Sequence, residues 1–185
     1  MSENAIEVPF VPFPKIPRLK GVGVVVTEKI DGTNALVHVS EDLAIVRAGS
    51  RTRWITPEAD NFGFAKWVAA NADALRELGP GYHYGEWWGS GIQRGYGCPP
   101  GEKHFSLFNT LRWNQNNPPP ACCKTVPVLG GCEWGEIDTF VDRLRESGSI
   151  AMPGYRNPEG VVVFHPPSRS TFKVIINGDI SKRPG

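Results

Sequence analysis

Nine residues, Thr27 to Ala35 (TEKIDGTNA), bring together a lysine, carboxylates, a hydroxyl and an amide. The apolar run VGVVV ahead of them reads as a buried strand, because β-branched residues suit a pleated, packed surface. That strand carries Lys29 to its end. DGTN then supplies turn chemistry, with Gly32 free to take a positive φ. A lysine at a strand end beside such groups suits nucleophilic chemistry better than solvation. To attack, its amine must be neutral, yet a free lysine has a pKa near ~10.4. Burial, a neighbouring cation or a bound metal lowers that value by disfavouring the charged form. The motif is short, and its meaning depends on the rest of the chain.

Four further stretches carry polar groups beside apolar strands: RAGSRTRWI (47–55), YHYGEWWGSGIQRGYG (82–97), HFSLFN (104–109), and PEGVVVF followed by TFKVIIN (158–177). Taken in order with FPKIPRLKGVGVVVTEKIDGTNA (13–35), they resemble the nick-sealing RNA ligases of phages and their relatives. Those enzymes belong to the covalent nucleotidyltransferases, with DNA ligases and mRNA capping enzymes. The Gly-Glu … Gly-x-Gly-Ile-Gln portion is the most specific to RNA ligases. The resemblance spans nearly the whole chain.

The resemblance implies in-line attack by Lys29 on the α-phosphate of ATP, leaving AMP on the lysine through a P–N bond. The AMP would then activate a 5′-phosphate end, and a 3′-hydroxyl would displace it and seal the strand. The partner is thus RNA, or a nicked duplex, with 5′-phosphate and 3′-hydroxyl ends. Glu28 and Asp31 flank the nucleophile, and the neighbourhood of Glu28 would recognise the base. Thr33 and Asn34 match positions that read the nucleotide and the incoming strand. Arg51, a fork of fixed donors, would take phosphate or ribose oxygens. Phe108 would stack on adenine, with a core role like that of Leu107 as its rival. Glu86 would accept from the ribose or hold a metal, and Glu159 would hold a metal bridging to phosphate. Mg²⁺ is the expected ion and Mn²⁺ the alternative.

Two departures stand out. The family's last motif carries two lysines separated by one residue, whereas STFKVIIN offers only Lys173. The missing partner falls at Thr171 or Ile175, and the following INGD favours Thr171. The chain also stops soon after this motif, which leaves no room for an appended OB domain of the kind that grips nucleic acid.

The elements that must position these groups are mostly short strands: 22–29, 34–39, 43–47, 82–87, 104–109, 160–165 and 171–176. Two helices follow from apolar spacing. Segment 61–78 places Phe64, Trp67, Val68, Leu75 and Leu78 near one face, and 136–146 places Ile137, Phe140, Val141 and Leu144 in a core-facing stripe. The proline- and glycine-rich run 114–131 reads as a surface loop. Hairpin-paired strands with helices laid outside give an α+β domain. That matches the adenylation domain of twisted antiparallel sheets that the resemblance implies, as a single domain over 1–185.

Composition bounds the partners. The 185 residues, 40% hydrophobic, contain no apolar run long enough to span a bilayer, so no membrane is expected. The start, MSENAIEVPFVPFP, is unlike a secretory signal, and a cytoplasmic setting (or a phage protein acting in its host's cytoplasm) is expected. A net charge of +1 means that any basic groove is local, with Arg47, Arg51, Arg53 and Arg94 as candidates. Cys98, Cys122, Cys123 and Cys132 lack the knuckle spacing of a structural zinc site. Adjacent cysteines on an extended chain also point apart. The expected activity is an ATP-dependent RNA ligase. The alternatives are a non-catalytic module binding ATP or nucleic-acid ends, a small DNA ligase, or a capping-type nucleotidyltransferase.

Overall fold

A computed structural model describes residues 23–176. The start of the first expected strand, residues 13–22 of the resemblance and the INGD that follows Ile175 from Asn177 on lie outside them. Two sheets face each other. The first runs in the order β10-β9-β1-β8, from β1 (Gly23–Lys29), β8 (Val128–Glu133), β9 (Gly160–His165) and β10 (Ser170–Ile175), all antiparallel. The second runs β4-β3-β2-β5-β6-β7, from β2 (Thr33–Val39), β3 (Val46–Gly49), β4 (Trp54–Ile55), β5 (Gly81–Gly89), β6 (Lys103–Leu107) and β7 (Lys124–Thr125). Only β6 and β7 pair in parallel.

Alternation along each strand divides its residues between a core and the space between the sheets. Val24, Val26, Val161 and Val163 pack outward against Ile137, Val141 and Leu144 of α3 (Ile137–Ser147). Each such fully buried side chain contributes roughly 1.5–3 kcal/mol. On the second sheet, Ala35, Val37, Val39, Trp87 and Phe105 pack on Phe64 and Val68 of α1 (Phe64–Ala70). A third cluster, Ile30, Trp88, Tyr96 and Val126, fills the junction between the sheets. The chain crosses that junction in the three residues Ile30, Asp31 and Gly32, which link β1 directly to β2.

The architecture agrees with the α+β expectation, and particular elements differ from the sequence reading. The helix expected over 61–78 is broken into α1, α2 (Ala72–Leu75) and a 3₁₀ turn at Arg76–Leu78. The break falls at Asn71, whose side-chain amide donates to the Trp67 carbonyl at 2.8 Å and competes with helix continuation. The strand expected at 43–47 starts later, at Val46, because Ser40 and Asp42 close a turn that includes Leu43 at φ 59°. The run 114–131 is not all loop: it contains β7 and the start of β8, which pairs with β1. Its glycines suggested a loop, but Gly130 lies beneath Phe140 of α3, where an added Cβ would come within 2.9 Å of the ring. The strand needs glycine there to let the helix approach.

Candidate active site

β1 alternates Val25, Thr27 and Lys29 toward the space between the sheets. Across the ladder, Val162 of β9 pairs with Thr27 and Gly160 pairs with Lys29. One strand further, Lys173 pairs with Val162 and Thr171 with Phe164. Lys29, Lys173 and Thr171 therefore share one face. Opposite them, Asn34 of β2 pairs with Glu86 of β5. The two faces enclose a cleft of about 1070 Å³ whose lining includes Lys29, Asn34, Arg51, Glu86, Phe108 and Lys173.

The nucleophile candidate is tightly held. Lys29 Nζ lies 2.6 Å from Glu159 Oε2, with both side chains partly buried. The β1–β8 ladder shifts register between Val26 and Thr27 and ends at the Thr27–Val128 pair, so Lys29 pairs only with β9. Beneath it, the Tyr96 hydroxyl accepts from the Asp31 N–H at 3.1 Å and donates to the Lys29 carbonyl at 3.4 Å. Burial pushes the Tyr96 phenol well above its ordinary value, so it stays a neutral donor. Gly32 is required for a reason other than the one expected from sequence. Its φ is not positive; instead an added Cβ would meet the Trp87 carbonyl at 2.5 Å.

Glu86 is buried, and its Oε1 accepts from the Gly32 N–H at 3.1 Å. Burial raises its carboxyl from 4.5 to about 7, opposed by the charge of Lys29 and that hydrogen bond, and assisted by Glu159 and Asp31. Two carboxylates gathered around one lysine form a set of hard oxygen donors, which fits Mg²⁺ or Mn²⁺. Phe108 is 40% exposed where its neighbour Leu107 is 1% exposed, so it belongs to the cleft rather than the core.

Other expected residues direct their side chains to contacts away from Lys29, although Glu28 also borders the cleft. Glu28, adjacent to Lys29, faces away from it and is buried. Its carboxylate accepts from Ser149 Oγ at 2.5 Å and from the Ile150 and Ala151 N–H groups at 2.8 Å. Its side chain is thus committed to the loop after α3. Thr33 turns to the opposite side of β2 from Asn34 and accepts from Asn61 at 3.3 Å. Asp31 is ion-paired with Arg94 at 2.9 Å. Arg94 also donates to the Asn157 and Pro158 carbonyls at 3.1 and 3.3 Å, so it ties chain segments together rather than lining a groove. Of the four arginines considered from sequence, only Arg51 lines the cleft.

The sequence reading missed Tyr96 and the cleft-lining Tyr82, Tyr84, Arg112 and Arg169. Tyr96 lay within the GIQRGYG stretch, but nothing local there signals a contact 65 residues away in the chain. The four cysteines carry free thiols. Cys122 and Cys123 do not point apart as an extended chain would require: their sulfurs are 3.9 Å apart, on a turn closed by the Cys123 N–H and the Pro120 carbonyl. No helix among the described residues is long and apolar enough to cross a membrane.

Comparison with solved structures finds the same fold in RNA ligase from Naegleria gruberi. A mutant of that protein with ATP and Mn superposes with a TM-score of 0.63 at 20% identity, over 85% of this chain and 51% of that one. A second mutant, with AMP and Mn, gives 0.60 at 20% identity over 84% and 50%. The same ligase with pyrophosphate gives 0.59 at 20% identity over 84% and 50%. The chain thus spans about half the length of these ligases. No curated protein matches it. The family model for RNA ligase matches residues 23–175, from the first strand of the cleft to the last, and the chain belongs to the RNA ligase family.

Proposed function

We propose that this protein is an ATP-dependent RNA ligase that joins a 5′-phosphate to a 3′-hydroxyl through a lysyl-AMP intermediate. The observation that carries this reading is Lys29 Nζ held 2.6 Å from Glu159 at the wall of a cleft that also presents Glu86, Arg51, Phe108 and Lys173. Phe108 offers a face for adenine stacking, and Arg51 offers planar donors for ribose or phosphate oxygens. Lys173, on the same sheet face as Lys29, directs its charge toward the phosphates.

In the first step the neutral Lys29 amine attacks the α-phosphorus, the P–N bond forms, and the bond to the β-phosphate oxygen breaks to release pyrophosphate. Glu159 is within hydrogen-bond reach to receive the proton that Nζ loses. A divalent cation held by Glu86 and Glu159 would supply positive charge against the phosphate oxygens. Tyr96 fixes the backbone beneath Lys29, so the amine meets the phosphate from a set direction. The terminal 5′-phosphate of the polynucleotide next takes AMP from the lysine. The 3′-hydroxyl then attacks that activated phosphate, and AMP leaves. A nick in a duplex, which holds both ends in place, is the proposed substrate.

Intact mass spectrometry after incubation with ATP and magnesium tests the first step. One added AMP is expected on the parent and none on Lys29→Ala. An adduct that survives the substitution would move the nucleophile elsewhere. No adduct on the parent would favour a module that binds ATP without reacting.

A further inference from the structure

Beside Trp88, where Cys98 packs against the junction cluster, Cys98, Glu102 and His104 bring a thiol, a carboxylate oxygen and an imidazole nitrogen within 4.8 Å of one another. We propose that these three residues form a zinc site that staples the segment 90–104 at the base of the nucleophile's turn.

The donor set points to the ion. A thiolate and an imidazole favour Zn²⁺ over Mg²⁺ or Ca²⁺, and one carboxylate completes a three-residue set that leaves a fourth position for water. Glu102 is the most exposed of the pair it forms with His104, with side-chain exposures of 41% and 16%, so solvent reaches the site. His104 Nε2 lies 2.8 Å from Glu102 Oε1. Replacing the shared proton by a metal requires those two atoms to part only slightly. With Cys98 and Glu102 both anionic, the bound ion's two charges are balanced. Lys124, which lies 5.8 Å over the Trp88 ring, would then face a neutral centre rather than another cation.

Backbone hydrogen bonds hold these groups near one another. In the sequence CPPGEKH the Glu102 N–H donates to the Pro99 carbonyl at 3.0 Å, and the Ser90 N–H donates to the Glu102 carbonyl at 2.8 Å. The Gly101 N–H donates to Ser90 Oγ at 3.2 Å. Glu102 and His104 are two residues apart where the chain enters β6, so their side chains leave on one side. Little ordering is left for the ion to impose.

The consequence reaches the active site. Between Ser90 and Glu102 the chain carries Arg94, which pairs with Asp31, and Tyr96, which brackets the Lys29–Asp31 backbone. Tyr96 also stacks on Tyr155, 4.5 Å away. Fastening the far end of this segment restrains the residues that aim Lys29. Cys98, Glu102 and His104 act here as positioning residues, since none touches the cleft.

Titration of the full chain with Co²⁺ as a spectroscopic stand-in, followed by competition with Zn²⁺, tests the proposal. One ion per chain is expected, with thiolate-to-cobalt absorption and visible bands of a four-coordinate centre. Zn²⁺ should raise the melting temperature of the parent. Cys98→Ser and His104→Ala should each weaken zinc by more than about 100-fold, since losing a ligand outweighs the 10–100-fold cost of losing an outer partner. Cys122→Ser, Cys123→Ser and Cys132→Ser should bind as the parent does. Absence of the thiolate band in the parent would overturn the site, as would a band that persists in Cys98→Ser. Loss of the band in the Cys122 or Cys123 variant would assign any zinc to that pair instead. Because the parent spectrum decides the first outcome, a variant that fails to fold does not shield the idea.

Discussion

Glu28 and Lys29 are neighbours in the chain that face opposite sides of one strand, and that alternation separates their work. Lys29 looks into the cleft, while the Glu28 carboxylate takes three hydrogen bonds from Ser149, Ile150 and Ala151. Replacing Glu28 by alanine strands the buried Ser149 hydroxyl and two partly buried N–H donors, so a loss of about 2–3 kcal/mol in denaturant unfolding is expected. A variant of unchanged stability that has lost only its preference for ATP would instead restore base recognition to Glu28. Glu86 gives a second residue-scale test, through pH. Its folded carboxyl sits at about 7, above its ordinary 4.5, so the folded state holds the proton more firmly than the unfolded chain. That stabilisation is fully present below about 4.5 and is lost as pH rises through about 7. In EDTA the melting temperature should therefore decline across that window. Glu86→Gln, which keeps a neutral side chain, should decline less. Parallel profiles for the two proteins would remove the raised carboxyl from the account. For Lys173, substitution by alanine should slow adenylylation by roughly 10²–10³-fold, the usual cost of one preorganised group aimed at developing charge. Thr171 lines the cleft, so Thr171→Lys should raise the rate above the parent's in a single-turnover assay.

At the scale of elements, most of the frame was legible because its periodicities are strong. The stripe Ile137, Val141 and Leu144 predicted α3 to within a residue, and the alternating β2, β5 and β9 strands emerged near their observed bounds. The failures share a cause: a residue chosen for a distant contact looks locally like something else. Gly130 reads as loop until Phe140 is placed on it, and Asn71 divides a helix that apolar spacing alone would continue. The candidate site follows the same division. Lys29 and Phe108 announced themselves through motifs at strand ends, and Glu86 and Lys173 through motifs within strands. The turning away of Glu28 and Thr33, and the support from Tyr96, depend on sheet pairing that no local pattern carries. Gly130→Val should therefore destabilise the protein by roughly 1–3 kcal/mol through overpacking against α3. Equal stability of that variant would show that β8 and α3 can part without cost.

Across the whole molecule, charge sets how firmly the proposed polynucleotide substrate would be held. The formal net charge is only +1, and the cleft gathers Arg51, Arg112, Arg169 and Lys173 as its cationic lining besides Lys29. A patch of that size supports charge-driven contact with dissociation constants of roughly 10⁻⁴–10⁻⁶ M at physiological salt. Fluorescence anisotropy with a nicked duplex should give values in that range that weaken steeply as salt is raised. Tight binding that ignores salt would place the grip in base contacts instead.

The three-residue crossing from β1 to β2 has a mechanical meaning as well. Ile30 is wedged among Trp88, Tyr96 and Val126, Asp31 is clamped by Arg94, and Gly32 lies against Trp87. The two walls of the cleft therefore meet at a pinned axle, and Lys29 sits beside it. When walls swing about an axle, points near it travel least. Any widening that admits a polynucleotide would carry Tyr82 and Thr171 through longer arcs and leave the amine almost where it was. A nucleotide attached to Lys29 would keep its bearing while the mouth around it changes width.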